Sequence, residues 1–73
     1  MEILKTRHYQ DHHEDEAPWE LVCEVIHTTK GHRVGRDLVE YLRRSSRRGV
    51  YVLCGNDPGS DTYRVINAKI WRR

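Results

Sequence analysis

Apolar residues recur at two different spacings along this chain, and each spacing predicts its own kind of element. Met1 to His8 alternates weakly, with Met1 and Ile3 set against Leu4, which predicts a short edge strand. Tyr9 to Ala17 is polar and acidic, and Pro18 closes the stretch by removing a backbone donor, so residues 9–18 read as an acidic connection. Trp19 to His27 alternates more clearly. Trp19, Leu21, Cys23 and Val25 share one side at period two and Glu20, Val22, Glu24 and Ile26 the other, which predicts a strand whose first side faces the core.

Thr28 to Gly35 holds Gly31 and Gly35 and reads as a loop. Beyond it Val34, Leu38, Leu42 and the adjacent Val39 and Tyr41 recur at helical spacing, opposite Arg36, Asp37, Glu40, Arg43 and Arg44. An amphipathic helix from Val34 to Ser46 follows, with Asp37 and Glu40 early and Arg43 to Arg48 late, as the helix dipole favours. Val50 to Cys54 is apolar on both sides and predicts a central strand. The Gly55 to Asp61 stretch, with Asp57-Pro58-Gly59, is turn chemistry. Thr62 to Trp71 returns as a long strand, with Ile66, Ala68 and Ile70 on one side and Tyr63, Val65, Asn67, Lys69 and Trp71 on the other. The predicted fold is α+β: a mostly antiparallel sheet of three to four strands, ordered β-β-α-β-β or β-α-β-β, with one amphipathic helix packed on one face and the other face wet.

Seventy-three residues are expected to form one small domain, 1–73, with a thin core, since a chain this short buries roughly 60% of its unfolded surface. Cys23 and Cys54 both lie in apolar runs and are expected to be reduced thiols, because small disulfide scaffolds carry more cysteine. No apolar leader or membrane-length run is visible, so a cytoplasmic protein without membrane contact is expected.

The net charge of +2 conceals an asymmetry. Met1 to Ile26 holds seven acids against two cations, a balance of −5, whereas the remainder holds four acids against eleven cations, a balance of +7. Ten of the thirteen cations are Arg, whose planar fork suits phosphate and carboxylate. Arg43, Arg44, Arg47 and Arg48 bracket Ser45 and Ser46, and Arg33, Arg36, Arg64, Lys69, Arg72 and Arg73 extend the candidate patch. Tyr51, Tyr63 and Trp71 offer stacking surfaces beside it. The plainer account is that cations at a helix end favour the dipole and keep the protein soluble.

Other candidate chemistry is weaker. His8, His12 and Glu16 would share one side of a helix and resemble a zinc chelate, but a solvated acidic loop explains them as well, and neither metal nor cofactor is expected. Ser45, Ser46 and Ser60 lie in cap and turn contexts without a nucleophile elbow, and Cys54 is expected to be buried and inert. The reading that follows is a small non-enzymatic regulatory or inhibitory interaction protein. It docks on a larger protein or nucleoprotein complex, such as a nucleic-acid-processing assembly, through an Arg-rich face with exposed Tyr and Trp, the residue types that dominate interface energetics. A direct nucleic-acid-binding protein is the alternative. A small ribonuclease-like enzyme using His27 or His32 is the third reading. The long last strand, if at a sheet edge, invites a homodimer.

Overall fold

The computed structural model describes residues 1–72, which run β1 (Glu2–Lys5), α1 (Arg7–His12), α2 (Trp19–Thr28), β2 (His32–Gly35), β3 (Leu38–Arg44), β4 (Arg48–Gly55) and β5 (Thr62–Arg72). The strands form one sheet in the order β1-β5-β4-β3-β2. Neighbours from β2 to β5 are antiparallel, whereas β1 lies parallel to the start of β5, Glu2 opposite Thr62 and Lys5 opposite Val65. The α+β class stands, with five strands in a mixed sheet and two helices in place of three to four strands and one helix. No helix among the described residues is long and apolar enough to cross a membrane.

Trp19 to His27 is the helix α2, not a strand. Its period-two pattern carried a flaw: Val22 and Ile26 fell on the side with both Glu. In the helix they join Val25 at i, i+3 and i+4, and all three are buried. Pro18 occupies the N-cap, where a missing N–H costs nothing, and Glu20 sits in the first turn where the helix dipole welcomes it.

The predicted helix from Val34 to Ser46 is instead a hairpin of β2 and β3, and the predicted loop before it supplies β2. Leu38, Val39, Tyr41 and Leu42 satisfy both periods. Pairing decides between them: Val39 and Tyr41 lie opposite Cys54 and Val52 of β4 and are buried, while Leu42 is 41% exposed. A strand apolar on both sides, as β4 is, needs neighbours along both edges, and β3 is the nearest segment to supply one.

The acidic connection also holds structure. Thr6 caps α1 by accepting from Tyr9 N at 3.1 Å while its hydroxyl donates to Val65 O at 2.7 Å, so one side chain starts the helix and ties it to β5. Tyr9 is fully buried and donates its hydroxyl to Ala17 O at 2.5 Å, closing the turn between the two helices. Burial pushes its pKa up to about 12.

Both helices lie on one side of the sheet, over Val39, Tyr41, Val50, Val52, Cys54, Val65 and Ala68. Along β5 the predicted sidedness holds only in part. Leu53 pairs with Asn67 but Cys54 pairs with Val65, so Ile66 is an extra residue that switches the alternation. Val65 therefore turns inward with Ala68, and Ile66 turns out beside Gly55. Cys23 and Cys54 are free thiols, the latter fully buried and raised to about 12 by that burial. The predicted edge position of the last strand is also corrected: the sheet edges are β1 and β2, and β5 lies between β1 and β4.

Candidate nucleic-acid interface

The predicted patch of cations divides between the two ends of the sheet. At one end the turn between β3 and β4 carries Arg44, Ser45, Ser46, Arg47 and Arg48, and β5 finishes beside it with Trp71 and Arg72. The turn is tight. Ser45 N donates to Arg48 O at 2.8 Å, and the Ser45 hydroxyl bonds both the carbonyl and the amide of Arg48 at 3.0 and 3.2 Å. Arg48 pairs directly with Arg72, which brings the two ends of sequence together. Between them Ser45, Ser46, Arg47, Arg48 and Arg72 line an open cleft of about 350 Å³.

Trp71 precedes Arg72 on β5 and does not line the cleft: alternation puts its ring on the face of the sheet the helices leave open, and Arg48 and Arg72 on the other. Its ring covers Gly49, the residue opposite it on β4, and a methyl group at Gly49 would overlap the indole. Glycine there seats the ring flat on the backbone, leaving Trp71 39% exposed with its outer surface toward solvent. Arg44 is also opposite Gly49, from β3, so the arginine and the tryptophan flank one glycine. Arg44, Arg47, Arg48 and Arg72 make no ion pair with a carboxylate among the described residues.

The other predicted site residues do different things. Arg43 alternates to the helix side, where its Nη1 meets Glu24 Oε2 of α2 at 2.7 Å. Arg33 is committed to structure at the far end of the sheet: Nη2 donates to Asn56 Oδ1 at 2.6 Å, and Nη1 to the carbonyls of Asn56 and Arg36, both at 3.0 Å. Arg36 sits in the β2–β3 turn, and Arg64 is exposed beside Gly55, both at that same far end. Asp37, Asp57, Asp61 and Glu2 share it, so charge alternates there, whereas the arginine end has no Asp or Glu of its own strands or turn. Tyr63 is half-buried and packs against the core on the helix side of the sheet. Tyr51 is on the open face, opposite Lys69, and donates to Glu40 Oε2 at 3.0 Å. Burial first, then the Glu40 hydrogen bond and charge, raise its pKa. Arg73 lies outside the described residues.

The histidine readings also resolve. His27 sits exposed on α2 and His32 on the edge strand β2 opposite Glu40, in different layers of the molecule. The helix α1 ends at His12, so Glu16 does not join His8 and His12 on one side. His13, which bends back instead, brings its Nε2 to 3.2 Å from His8 Nε2.

Two features of the site escaped the sequence. The pairing of Arg48 with Arg72 joins residues 24 apart, and only the strand register reveals it. The seating of Trp71 on Gly49 had a signal, a glycine beginning an otherwise apolar strand, which marks close approach of another group. The Arg33–Asn56 clasp had none, since nothing in spacing says which arginine is consumed by the fold. No protein-family model matches the chain, and no curated protein and no solved structure matches it.

Proposed function

We propose that the protein is a non-enzymatic binding module that engages single-stranded nucleic acid through its arginine end, with backbone phosphate in the cleft of Arg47, Arg48 and Arg72 and a base stacked on Trp71. The single observation that carries this reading is a cleft lined by Arg47, Arg48 and Arg72, which meet no carboxylate among the described residues, at the end of the sheet where β5 also carries Trp71. Guanidinium forks bind phosphate in paired hydrogen bonds, and the Ser46 hydroxyl adds a neutral donor to the cleft. Every base has a π face, so a flat aromatic beside a cationic groove binds strands with little regard to sequence.

Binding of fluorescently labelled single strands, followed by anisotropy across a salt series, tests this. Three to four phosphate contacts give a log–log salt slope of roughly −2 to −3, at about −0.7 per contact for a single strand. Arg48→Ala removes about 0.7 from that slope, and Trp71→Ala weakens binding by about 1–3 kcal/mol with the slope kept. Absence of binding to any single strand at about 50 mM salt, where phosphate contacts are strongest, refutes the proposal.

One observation favours a second reading, docking on a larger protein. The open face presents Leu42, 41% exposed and opposite half-buried Tyr51, with Trp71 at the same end of the sheet and half-buried Leu53 further along β4. Aromatic and arginine anchors amid apolar surface are what protein interfaces use. Substitution of Leu42 by Asp separates the two: it abolishes protein docking and leaves the salt slope on single strands unchanged.

A further inference from the structure

The end of α1 brings three imidazoles together away from the arginine cleft. His8 lies in the first turn of the helix, His12 is its last residue, and His13 is the C-cap, with φ −130° and ψ −24° turning it out of the helical path. That turn folds the His13 ring back over the helix. The ring centres of His8 and His12 are 4.8 Å apart, those of His8 and His13 5.1 Å, and those of His12 and His13 6.4 Å. The Nε2 atoms of His8 and His13 approach to 3.2 Å. The backbone holds this arrangement firmly, since His13 N donates to Tyr9 O at 2.9 Å and Tyr9 is itself locked in the core.

Two imidazole nitrogens at this distance require something between them. If both present lone pairs they repel, so either one ring donates its N–H to the other or a cation accepts from both. The spacing suits a hydrogen bond and also the bite of a single ion. Nitrogens bound to one ion at about 2.0–2.1 Å with a tetrahedral angle stand about 3.3 Å apart, and with a right angle about 2.9 Å. The observed separation falls between these two values.

We propose that His8 and His13 chelate a divalent transition-metal ion of the zinc, nickel or copper class through their Nε2 atoms. Imidazole suits these metals over magnesium or calcium, which prefer oxygen. No group of three or more His, Cys, Asp or Glu side chains converges on a common point among the described residues. The site is therefore a two-donor chelate, with solvent completing the shell and His12 at its rim, unlike the closed four-ligand sets of structural zinc. Bound ion bridges the first turn of α1 to the residue beyond its end, which staples a helix of six residues.

The test uses untagged protein and zinc or nickel chloride, titrated calorimetrically in a non-coordinating buffer. One ion binds per chain; His8→Ala and His13→Ala each weaken binding by at least roughly tenfold, and the exposed His27→Ala does not change it. Histidine-selective NMR of the wild-type protein, which needs no variant to fold, shows the Nε2 signals of His8 and His13 moving first. The inference is overturned if the wild-type chain takes up no ion, if the double variant binds as well as wild type, or if other rings respond first. In each of those cases the short contact is a hydrogen bond between neutral imidazoles.

Discussion

Arginine does opposite work at the two ends of this sheet. At the far end, Arg33 spends its guanidinium on the carbonyls of Arg36 and Asn56 and on Asn56 Oδ1, fastening the β2–β3 turn to the loop before β5. Asn56, 1% exposed, completes the clasp by donating to Ser60 O and Thr62 O at 3.0 and 2.9 Å. At the near end Arg47, Arg48 and Arg72 surround an open cleft and meet no carboxylate among the described residues. A side chain whose donors are used inside the protein stabilises the fold; one whose donors face solvent is not so committed. The same residue type is thus committed to the fold or left open to solvent according to what lies within about 3 Å of it.

The comparison can be broken first at Asn56. Asn56→Leu takes away the donor to the Ser60 and Thr62 carbonyls and the side-chain acceptor of Arg33 Nη2 together, and chemical denaturation should show a loss of about 3 kcal/mol. Gly49→Ala comes next, because the added methyl displaces the Trp71 ring. A loss of about 1–3 kcal/mol is expected, with a change in Trp71 fluorescence that reports the ring leaving its seat. Arg43→Ala severs a partly exposed ion pair with Glu24 and should cost less than about 1 kcal/mol. Arg47→Ala should leave thermal stability within about 0.5 kcal/mol of wild type while reducing affinity for single strands, the separation of effects that the contrast between the two ends demands. A destabilisation by Arg47→Ala equal to that by Arg33→Ala would erase the distinction.

Alkali sharpens it from the other side. Tyr9 is raised from 10.0 to about 12 and Cys54 from 9.0 to about 12, in both cases chiefly by burial. Both groups are neutral when folded, so the unfolded chain loses its protons first as pH rises. Their contribution is therefore intact below pH 9 and declines between the unfolded and folded values. Unfolding titrations should show stability falling over that window, while strand binding by the permanently charged arginines persists until the fold itself gives way.

The final two strands were legible because their neighbours reinforced their pattern. Val50, Val52 and Cys54 alternate strictly, and the Asp57-Pro58-Gly59 turn places β5 alongside, with Gly59 at φ 84°, a backbone conformation glycine adopts without strain. The helix and strand assignments of the middle were exchanged for a specific reason. Trp19 to His27 and Leu38 to Arg44 each contain apolar pairs compatible with both periods, and segments of seven to ten residues are too short for the periods to separate. For the first, Pro18 and the displaced Val22 and Ile26 were the readable signs of helix. For the second the sequence held no such sign.

What the amino-acid sequence determined alone is the chemistry carried by each segment: an acidic start, an arginine-rich remainder, two thiols in apolar surroundings, and aromatic residues near the last cations. Those are properties of composition and local order, which need no folding to exist. The tertiary structure alone decided which arginines are spent on the fold and which meet no carboxylate among the described residues, which side of β5 faces in, and that Arg48 pairs with Arg72. Each of those depends on strand register and on one extra residue in β5, and register is set by contacts between segments far apart in the chain, where no local pattern reaches.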